Sequence, residues 1–284
     1  MSDDAEARKA ETMAYFNSRA GGDFDPQGAF AHFGPRLVAE LGVDPGQRVL
    51  DVATGRGAVL FPALERVGPA GAAVGVDLAE NMVRATNEEA GSRGLGTPVR
   101  VMDAEQLDFP DNSFDLVYSH GVLHHTPDIE RAIAEVHRIL KPGGRAVVML
   151  YHRDSYNYRI NISMLRRAGV HLLKWNAGLK LVQLMTGEPE ASLREHSRRL
   201  NSDTSYLNSQ EFLSQNTDGA GNPLARVYSR WEAANLFRNF SQTKVEIYFL
   251  NKRWMPIVGS LLPKALESKL AQRWGWHLWI YATK

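Results

Sequence analysis

The first candidate for ligand chemistry is a glycine-containing stretch that follows a short aliphatic run. Residues 49–52, Val-Leu-Asp-Val, are typical of a strand, and Gly55 and Gly57 then interrupt it. Apolar residues at helical spacing over 58–67 predict a helix directly afterwards. Glycine lets the chain turn and lacks the Cβ that would keep a ligand from the backbone, and a helix start offers free N–H groups. The stretch therefore predicts a ligand site.

Two ligands compete for this turn. A dinucleotide would place its pyrophosphate on the helix N-terminus in the pattern G-x-G-x-x-G, but Leu60 stands where the third glycine belongs. The alternative is S-adenosylmethionine (SAM), a sulfonium that carries a free α-ammonium group. Asp51 would repel a pyrophosphate and attract the ammonium, directly or through a water. The charge favours SAM, and a purely structural glycine turn is the third interpretation.

A second acid, Asp77, closes the strand predicted over residues 72–77. In a strand–helix–strand unit, an acid about 20 residues past the glycine turn is placed to accept hydrogen bonds from two ribose hydroxyls. Asp77 could instead cap the helix predicted over 78–93. The spacing from the glycine turn favours the ribose.

A third acid, Asp103, follows the strand predicted over 97–102. The carboxyl ends of parallel strands lie on one rim of a sheet, so we expect Asp103 beside Asp51 and Asp77. It could accept a hydrogen bond from an adenine amine, with Met102 against the ring. The alternative is an ordinary loop acid without a ligand.

Two histidines are the preferred candidates for a general base, because imidazole titrates near pH 7 without tuning. His120 and His152 follow the strands predicted over 114–119 and 145–151. Both positions lie at the rim where an acceptor would bind. We expect one of the two to be the base, with the phenol of Tyr156 as an alternative.

The composition excludes several classes of protein. The 284 residues include no cysteine, so disulfides, thiolate metal sites and a cysteine nucleophile are excluded. The formal net charge of +1 favours neither nucleic acid nor an anionic membrane as a partner. The acidic N-terminus has no apolar run, and no apolar stretch reaches the ~20 residues that span a bilayer. The sequence predicts a cytoplasmic protein and does not indicate an oligomeric state.

The order of the predicted elements indicates an α/β fold. Strands alternate with helices up to residue 151, which is typical of a parallel sheet with helices on both faces. The predicted strands lie at 49–52, 72–77, 97–102, 114–119, 145–151, 243–251 and 275–282. Residues 151–227 hold no clear strand and are too long for a plain loop, so we predict a helical cap there.

The predicted cap contains three helical segments, at 160–167, 172–185 and 192–200. Its large apolar and aromatic side chains are Tyr156, Tyr158, Met164, Trp175, Leu179 and Met185. They form either the core of the cap or a pocket for an apolar or aromatic acceptor.

Two further helices are predicted before the first strand, at 5–18 and 30–41, with Gly22 and Pro26 in the loop between them. They either cover one edge of the core, or the first of them folds over a bound ligand. Lys9, in the first helix, is the only lysine before Lys141.

Together these motifs resemble the class I SAM-dependent methyltransferases, in particular the small-molecule branch with a ubiquinone/menaquinone-type (methyltransferase type 11) first motif. The likeness covers 37–150 and returns at the last two strands. The matching segments are the first motif at 49–57 with Ala53 where many members carry glycine, Asp77, Asp103-Ala104, the strand at 114–119 with His124-His125, and Lys141-Pro-Gly-Gly144.

The resemblance implies a Rossmann-like, mostly parallel sheet of seven strands with its last strand antiparallel. The helical cap predicted after strand five matches no motif of the family. The core would comprise residues 1–150 and 228–284, and the cap, which would bind the substrate, residues 151–227. In such relatives the pair that matches His124 and His125 lies at a helix start below the cofactor. We therefore expect these two histidines to pack or to bind backbone rather than to act in catalysis.

The resemblance also implies SAM as cofactor and S-adenosylhomocysteine as product. The implied cofactor-binding residues are Asp51, Ala53, Thr54, Gly55, Gly57, Asp77, Leu78, Met102, Asp103, Ala104, Ser119 and His120. No metal is expected, because Ser119-His120-Gly121 stands where the catechol type of methyltransferase carries metal ligands.

The function implied is methyl transfer to a small molecule or short peptide, with oxygen as the preferred acceptor atom. Methyl transfer by in-line displacement depends on positioning, and a base is needed where the acceptor holds a proton. The candidates for that base are His120, His152 and Tyr156. An NAD(P)-dependent oxidoreductase and a non-catalytic SAM-binding protein are the alternatives.

Overall fold

The computed structural model describes residues 3–21, 29–96, 98–187, 189–219, 221–251, 255 and 262–284. The chain forms two compact units. The first comprises Met1–Tyr151, Arg230–Glu246 and Leu278–Lys284, and the second comprises His152–Ser229 and Ile247–His277. The predicted loop at Gly22 and Pro26 and the predicted strand start at residue 97 lie outside the described residues.

The first unit is built on a sheet whose central strands are parallel. Its strands are β1 (Arg48–Val52), β2 (Ala72–Asp77), β3 (Val99–Val101), β4 (Phe114–His120), β5 (Leu140–His152), β7 (Gln242–Tyr248) and β8 (His277–Thr283). They lie in the order β3-β2-β1-β4-β5-β8-β7. Gly143 N–H donates to the Lys284 carbonyl and Lys284 N–H to the Gly144 carbonyl, so β8 is antiparallel to β5.

The chain order reverses beside β1, and this reversal distributes the helices over both faces of the sheet. The helices of the first unit are α1 (Asp3–Arg19), α2 (Ala29–Leu41), α3 (Leu60–Val67), α4 (Glu80–Ser92), α5 (Ile129–Ile139) and α10 (Arg230–Leu236). Right-handed crossovers place α3 and α4 on one face and α5 on the other. The predicted Rossmann-like fold is thus confirmed.

The central strands are apolar because both of their faces are covered. Val49, Leu50 and Val52 on β1 are buried, as are Leu116 and Val117 on β4. Polar side chains lie towards the two ends of these strands: Arg48 and Asp115 near the amino-terminal ends, and Asp51 and Ser119 near the carboxyl ends. The sheet core therefore carries the predicted site at its edge and excludes water from beneath it.

Some boundaries differ from the prediction. The helix after the glycine turn begins at Leu60 rather than at 58, so the turn is longer than its sequence suggested. The helix predicted over 172–185 is two helices, because Trp175 adopts an extended conformation (φ −118°, ψ 141°) between them.

The second unit is mainly helical. Its elements are a π-helix (Asn157–Arg166), α6 (Arg167–Leu172), α7 (Asn176–Thr186), α8 (Glu190–Ser202), a 3₁₀ helix (Thr204–Asn208), α9 (Gln210–Gln215), the short strand β6 (Val227–Tyr228) and α11 (Lys264–Trp274). The unit also takes in residues 247–277, which the sequence analysis had assigned to the core. Among the residues described, no helix is both long and apolar enough to cross a membrane.

Candidate functional site

The glycine turn after β1 uses its two glycines for different purposes. Gly55 and Gly57 both have positive φ angles, 53° and 73°. A Cβ on Gly57 would lie 2.9 Å from the Phe61 ring, so this glycine allows α3 to pack closely. A Cβ on Gly55 would meet no described atom within 4 Å, so its backbone faces open space. Gly55 is therefore the position where a ligand can approach the chain.

Asp51 lies at the carboxyl-terminal end of β1 and is buried. Thr54 Oγ1 donates a hydrogen bond of 2.7 Å to its carboxylate, and the Tyr118 hydroxyl faces the same group. Burial raises the pKa of the Asp51 carboxyl to about 7, because the charged form loses solvation. A ligand cation beside Asp51 would lower this pKa again and favour the charged carboxylate.

Asp77, at the end of β2, joins two backbone segments. One carboxylate oxygen accepts from Gly55 N–H at 2.8 Å and the other from Ala79 N–H at 2.9 Å. The alternative role as a helix cap is not what the structure shows, since the N-cap of α4 is Ala79. Burial raises the pKa of Asp77 against these hydrogen bonds. Each oxygen has a second lone pair, so the carboxylate can also accept from a ligand hydroxyl.

Asp103, after β3, is held by a partner that the sequence analysis did not identify. Lys9 Nζ lies 2.6 Å from Asp103 Oδ2, and Glu105 N–H donates to Oδ1 at 2.9 Å. Met102 next to it donates its backbone N–H to the Asp77 carbonyl at 3.0 Å. The segment after β3 is thus tied both to β2 and to α1.

Glu105 is the second residue that sequence reasoning missed. Its buried carboxylate accepts from Lys9 Nζ at 2.6 Å, from Asp128 N–H at 2.8 Å and from Thr126 Oγ1. Burial alone would raise the pKa of Glu105, but the hydrogen bonds from Lys9 and Thr126 hold it below its usual value. The scarcity of lysine before Lys141 was the one sequence signal that pointed to Lys9.

Three other contacts join α1 to the same region. Asn81 N–H donates to Asn17 Oδ1 at 2.8 Å, and Arg56 Nη1 donates to the Ala20 carbonyl at 2.6 Å. The Phe16 ring meets the ring of buried His125 edge-on, with centroids 5.5 Å apart. With Lys9, these contacts attach α1 and Ala20, the residue after it, to the segments that follow β1, β2, β3 and β4.

The end of β4 supplies Ser119 and His120. The Ser119 hydroxyl is buried and has no hydrogen-bond partner among the described residues. The half-buried ring of His120 lies 5.4 Å from the ring of Trp279. Burial lowers the pKa of His120 to about 4, so its imidazole is neutral at pH 7.

The other proposed bases belong to the second unit. His152 is buried, and its Nδ1 lies 2.9 Å from the Gly275 carbonyl oxygen. A carbonyl only accepts hydrogen bonds, so Nδ1 carries the proton, and in the neutral ring Nε2 is the acceptor. Tyr156 is half-buried at the start of the π-helix. The two units thus divide the candidates, with His120 in the first and His152 and Tyr156 in the second.

His124 and His125 lie in a short 3₁₀ helix after β4, and both are buried. The His124 ring lies 3.8 Å from the Tyr151 ring, centroid to centroid. Both histidines therefore pack against aromatic rings, as expected for a structural role.

The side chains proposed as the core of the cap separate into two groups. Leu179 is buried, and Tyr156 and Tyr158 are half-buried. Met164, Trp175 and Met185 are exposed, so they do not belong to a cap core. Helical spacing alone did not reveal which side of each helix faces outward.

The residues of the first unit fit SAM. The carboxyl ends of β1, β2 and β3 carry acids with unused lone pairs, and the backbone at Gly55 is open. The remaining residues proposed to bind the cofactor lie on the same segments: half-buried Ala53, Leu78, Met102 and Ala104, and buried Thr54. A cationic amino acid end, a ribose and a purine each find a partner of matching chemistry here.

Comparison with known proteins agrees with this geometry. Residues 50–148 match the family described as methyltransferase domain. A nocamycin O-methyltransferase from Saccharothrix syringae is 47% identical over 45% of this chain and 46% of its own length. A ubiquinone/menaquinone biosynthesis C-methyltransferase from Cupriavidus taiwanensis is 38% identical over 43% of this chain and 54% of its own length. The matches thus span about half of each relative.

A solved structure shares the fold over nearly the whole chain. It is a chain of the Haloferax volcanii complex between the Trm112 methyltransferase activator and a methyltransferase. The TM-score is 0.54 at 17% identity, over 94% of this chain and 96% of that one. Residues 50–148 thus match a methyltransferase domain, as the sequence motifs predict.

Proposed function

We propose that this protein transfers a methyl group from SAM to an oxygen atom of a small-molecule acceptor. The observation that carries the proposal is the row of acids at the ends of β1, β2 and β3 beside the open backbone of Gly55. This row stands within the segment that matches the methyltransferase family.

Each acid has a role that follows from its surroundings. Asp51 binds the α-ammonium, which favours the charged form of a carboxyl whose pKa is about 7 without a ligand. Asp77 accepts from the ribose hydroxyls while it holds Gly55 in place. Asp103 accepts from the adenine amine, and Lys9 balances its charge. The buried Ser119 hydroxyl is a further polar contact for the cofactor.

Bound SAM supplies a methyl group on a positively charged sulfur, so the protein's task is to align the acceptor and to remove its proton. His120 is neutral at pH 7 and can accept that proton, but a pKa of about 4 makes it a weak base. His152 offers Nε2 with its Nδ1–H held by a backbone carbonyl. We therefore prefer His152, followed by His120 and Tyr156.

Oxygen as the acceptor atom rests on the O-methyltransferase among the relatives, whereas another relative methylates carbon. We propose an apolar or aromatic acceptor and assign its binding to the helical unit that contains His152–Ser229. The methyltransferase family match ends at residue 148, before this unit begins.

Calorimetry tests the cofactor first. We expect S-adenosylhomocysteine to bind with one site per chain and NADH not to bind; the reverse would support the oxidoreductase alternative. A matched pair of variants tests the location. Gly55→Ala and Gly94→Ala both add a Cβ at positive φ with open space around it. Only Gly55→Ala should weaken binding, by about tenfold or more.

Radiolabelled SAM then tests the transfer, with panels of phenols, carboxylic acids and carbon acids as acceptors. Labelled product from a phenol or acid supports O-methylation, and product only from carbon acids contradicts it. Binding of S-adenosylhomocysteine without labelled product from any panel would favour the non-catalytic alternative. We expect His152→Gln to lower turnover at least tenfold while KM for SAM is unchanged. If His120→Gln alone does so, the base is in the first unit.

A further inference from the structure

We propose that the second unit carries a peripheral docking surface for anionic lipid. This surface, here called the α7 face, consists of Trp175, Leu181, Leu184 and Met185 together with Lys174 and Lys180. It is separate from every residue assigned above to SAM or to the acceptor base.

The α7 face is apolar where a solvent-facing helix is normally polar. Leu181, Leu184 and Met185 stand at positions i, i+3 and i+4, which places them on one side of α7. Leu184 is 84% exposed and Met185 69% exposed, whereas Leu179 on the opposite side is buried. α7 therefore buries one apolar side and presents another to the outside.

The elements before α7 also expose apolar side chains. Trp175 is 63% exposed immediately before α7, and Leu172 at the end of α6 is also exposed. Met164 and Leu165 are exposed on the π-helix. Single exposed apolar residues are ordinary, but so many within one stretch indicate a surface that meets a partner.

The charge of the same stretch identifies the kind of partner. Residues 155–187 contain five basic residues and no aspartate or glutamate, although the whole chain has a net charge of only +1. The basic residues are Arg159, Arg166, Arg167, Lys174 and Lys180. Lys174 and Lys180 are exposed, and no ion pair within the described part of the chain involves them. Arg159 pairs with Asp154, which stands just before this segment, and the other four basic residues give the segment a positive charge that attracts anions.

The next helix, α8, neutralises its basic side chains by ion pairs within the helix. Its basic residues Arg194, Arg198 and Arg199 pair with Glu190 or Glu195 on the same helix. Lysines that border exposed leucine, methionine and tryptophan are instead typical of a helix that lies in a lipid headgroup layer. Tryptophan prefers that layer, and lysine reaches its phosphates.

Charge also argues against a second copy of this chain as the occupant. Two α7 faces brought together would bring four lysines into one interface, where like charges oppose association. An anionic bilayer meets both features at once, because it accepts apolar side chains and neutralises lysine.

Vesicle cosedimentation tests the proposal with the whole 284-residue chain. We expect binding to vesicles of phosphatidylcholine mixed with phosphatidylglycerol, and weaker binding to phosphatidylcholine alone. Each lysine removed near an anionic surface should lower partitioning about fivefold, so Lys174→Gln with Lys180→Gln should lower it about 25-fold. Added salt should weaken the binding of the unaltered protein in the same direction.

A matched pair of tryptophan variants controls for nonspecific adsorption of exposed aromatic side chains to vesicles. Trp175→Ser should weaken vesicle binding, whereas Trp231→Ser should not, although Trp231 is 73% exposed in the first unit. Thermal shift by S-adenosylhomocysteine should be the same in all variants, which shows that they fold. The proposal is wrong if anionic vesicles bind no better than neutral ones or if the two tryptophan variants behave alike. It is also wrong if Leu184→Ser abolishes self-association instead of vesicle binding.

Discussion

Two regions of the protein differ in how their side chains are exposed. One is the row of acids at the ends of β1, β2 and β3 in the first unit, here called the rim and taken to include Glu105; the other is the α7 face in the second unit. On the rim, polar groups are taken out of water and almost every one has a named partner: Asp51 with Thr54, Asp77 with two backbone N–H groups, Glu105 with Lys9. On the α7 face, apolar groups such as Leu184 are left in water.

The difference shows what each region is organised to bind. Burying a carboxylate is unfavourable unless hydrogen bonds or a cation compensate it, so a row of buried acids indicates a polar ligand held without bulk water. Exposing leucine is unfavourable unless another apolar phase covers it. The two regions are complementary to a small cationic cofactor and to a broad amphipathic surface.

Removal of Asp77 should have the largest effect on the rim. Asp77→Ala leaves the N–H groups of Gly55 and Ala79 without their acceptor and removes the proposed ribose contact. We expect an affinity for S-adenosylhomocysteine about 100-fold lower and a free energy of unfolding about 2 kcal/mol lower. Calorimetry and chemical denaturation measure the two. Asp108→Ala, which removes an exposed acid nearby, should change neither; equal effects would mean that position on the rim is irrelevant.

Protonation of Asp51 should have the next largest effect. With its pKa at about 7, the carboxyl loses its charge below neutral pH, and the affinity for S-adenosylhomocysteine should fall up to about tenfold per pH unit between 7 and 5. Asp51→Asn should bind weakly and show no such slope. A binding curve independent of pH in the unaltered protein would contradict the role of Asp51.

The raised pKa of Asp51 also predicts how the stability of the folded protein depends on pH. The pKa of Asp51 is raised by folding from 3.8 to about 7, so the folded state binds the proton more tightly than the unfolded state. This contribution to stability is present below pH ~4 and is lost as the pH rises through 7. Without cofactor, Asp51→Asn should therefore have a higher Tm than the unaltered protein at pH 8. The difference in Tm between the two proteins should be smaller at pH 5, as thermal denaturation would show.

Loss of Lys9 should have a moderate effect that couples α1 to the rim. Lys9→Met leaves the buried carboxylate of Glu105 and half-buried Asp103 without their cation. We expect a loss of about 1–3 kcal/mol in stability, about tenfold weaker cofactor binding and faster hydrogen exchange in α1. Arg8→Met removes an exposed pair with Asp4 on the same helix and is the control. Unchanged exchange in α1 would show that Lys9 does not hold this helix.

The smallest effect is expected at Ala53. Its φ of 60° is unfavourable for a residue with a Cβ. Ala53→Gly should relieve that strain and stabilise the protein by up to about 1 kcal/mol, a rise of a few degrees in Tm, with cofactor affinity unchanged. A lower Tm would mean that surrounding contacts favour alanine.

Local sequence determined the alternation of strands and helices and the placement of Asp51, Asp77 and Asp103 at strand ends. Periodicity and glycine placement depend on residues within a few positions of one another, and parallel strands align their carboxyl ends automatically. The prediction of the rim therefore needed no knowledge of packing.

Only the tertiary structure decided which charges neutralise the rim and which apolar side chains are left outside. Lys9 meets Asp103 across 94 positions of sequence, and no local pattern links them. Leu179 and Leu184 have the same chemistry on one helix, yet one is buried and the other exposed. Such outcomes depend on how helices pack against their neighbours, which is a property of the assembled chain rather than of any short segment.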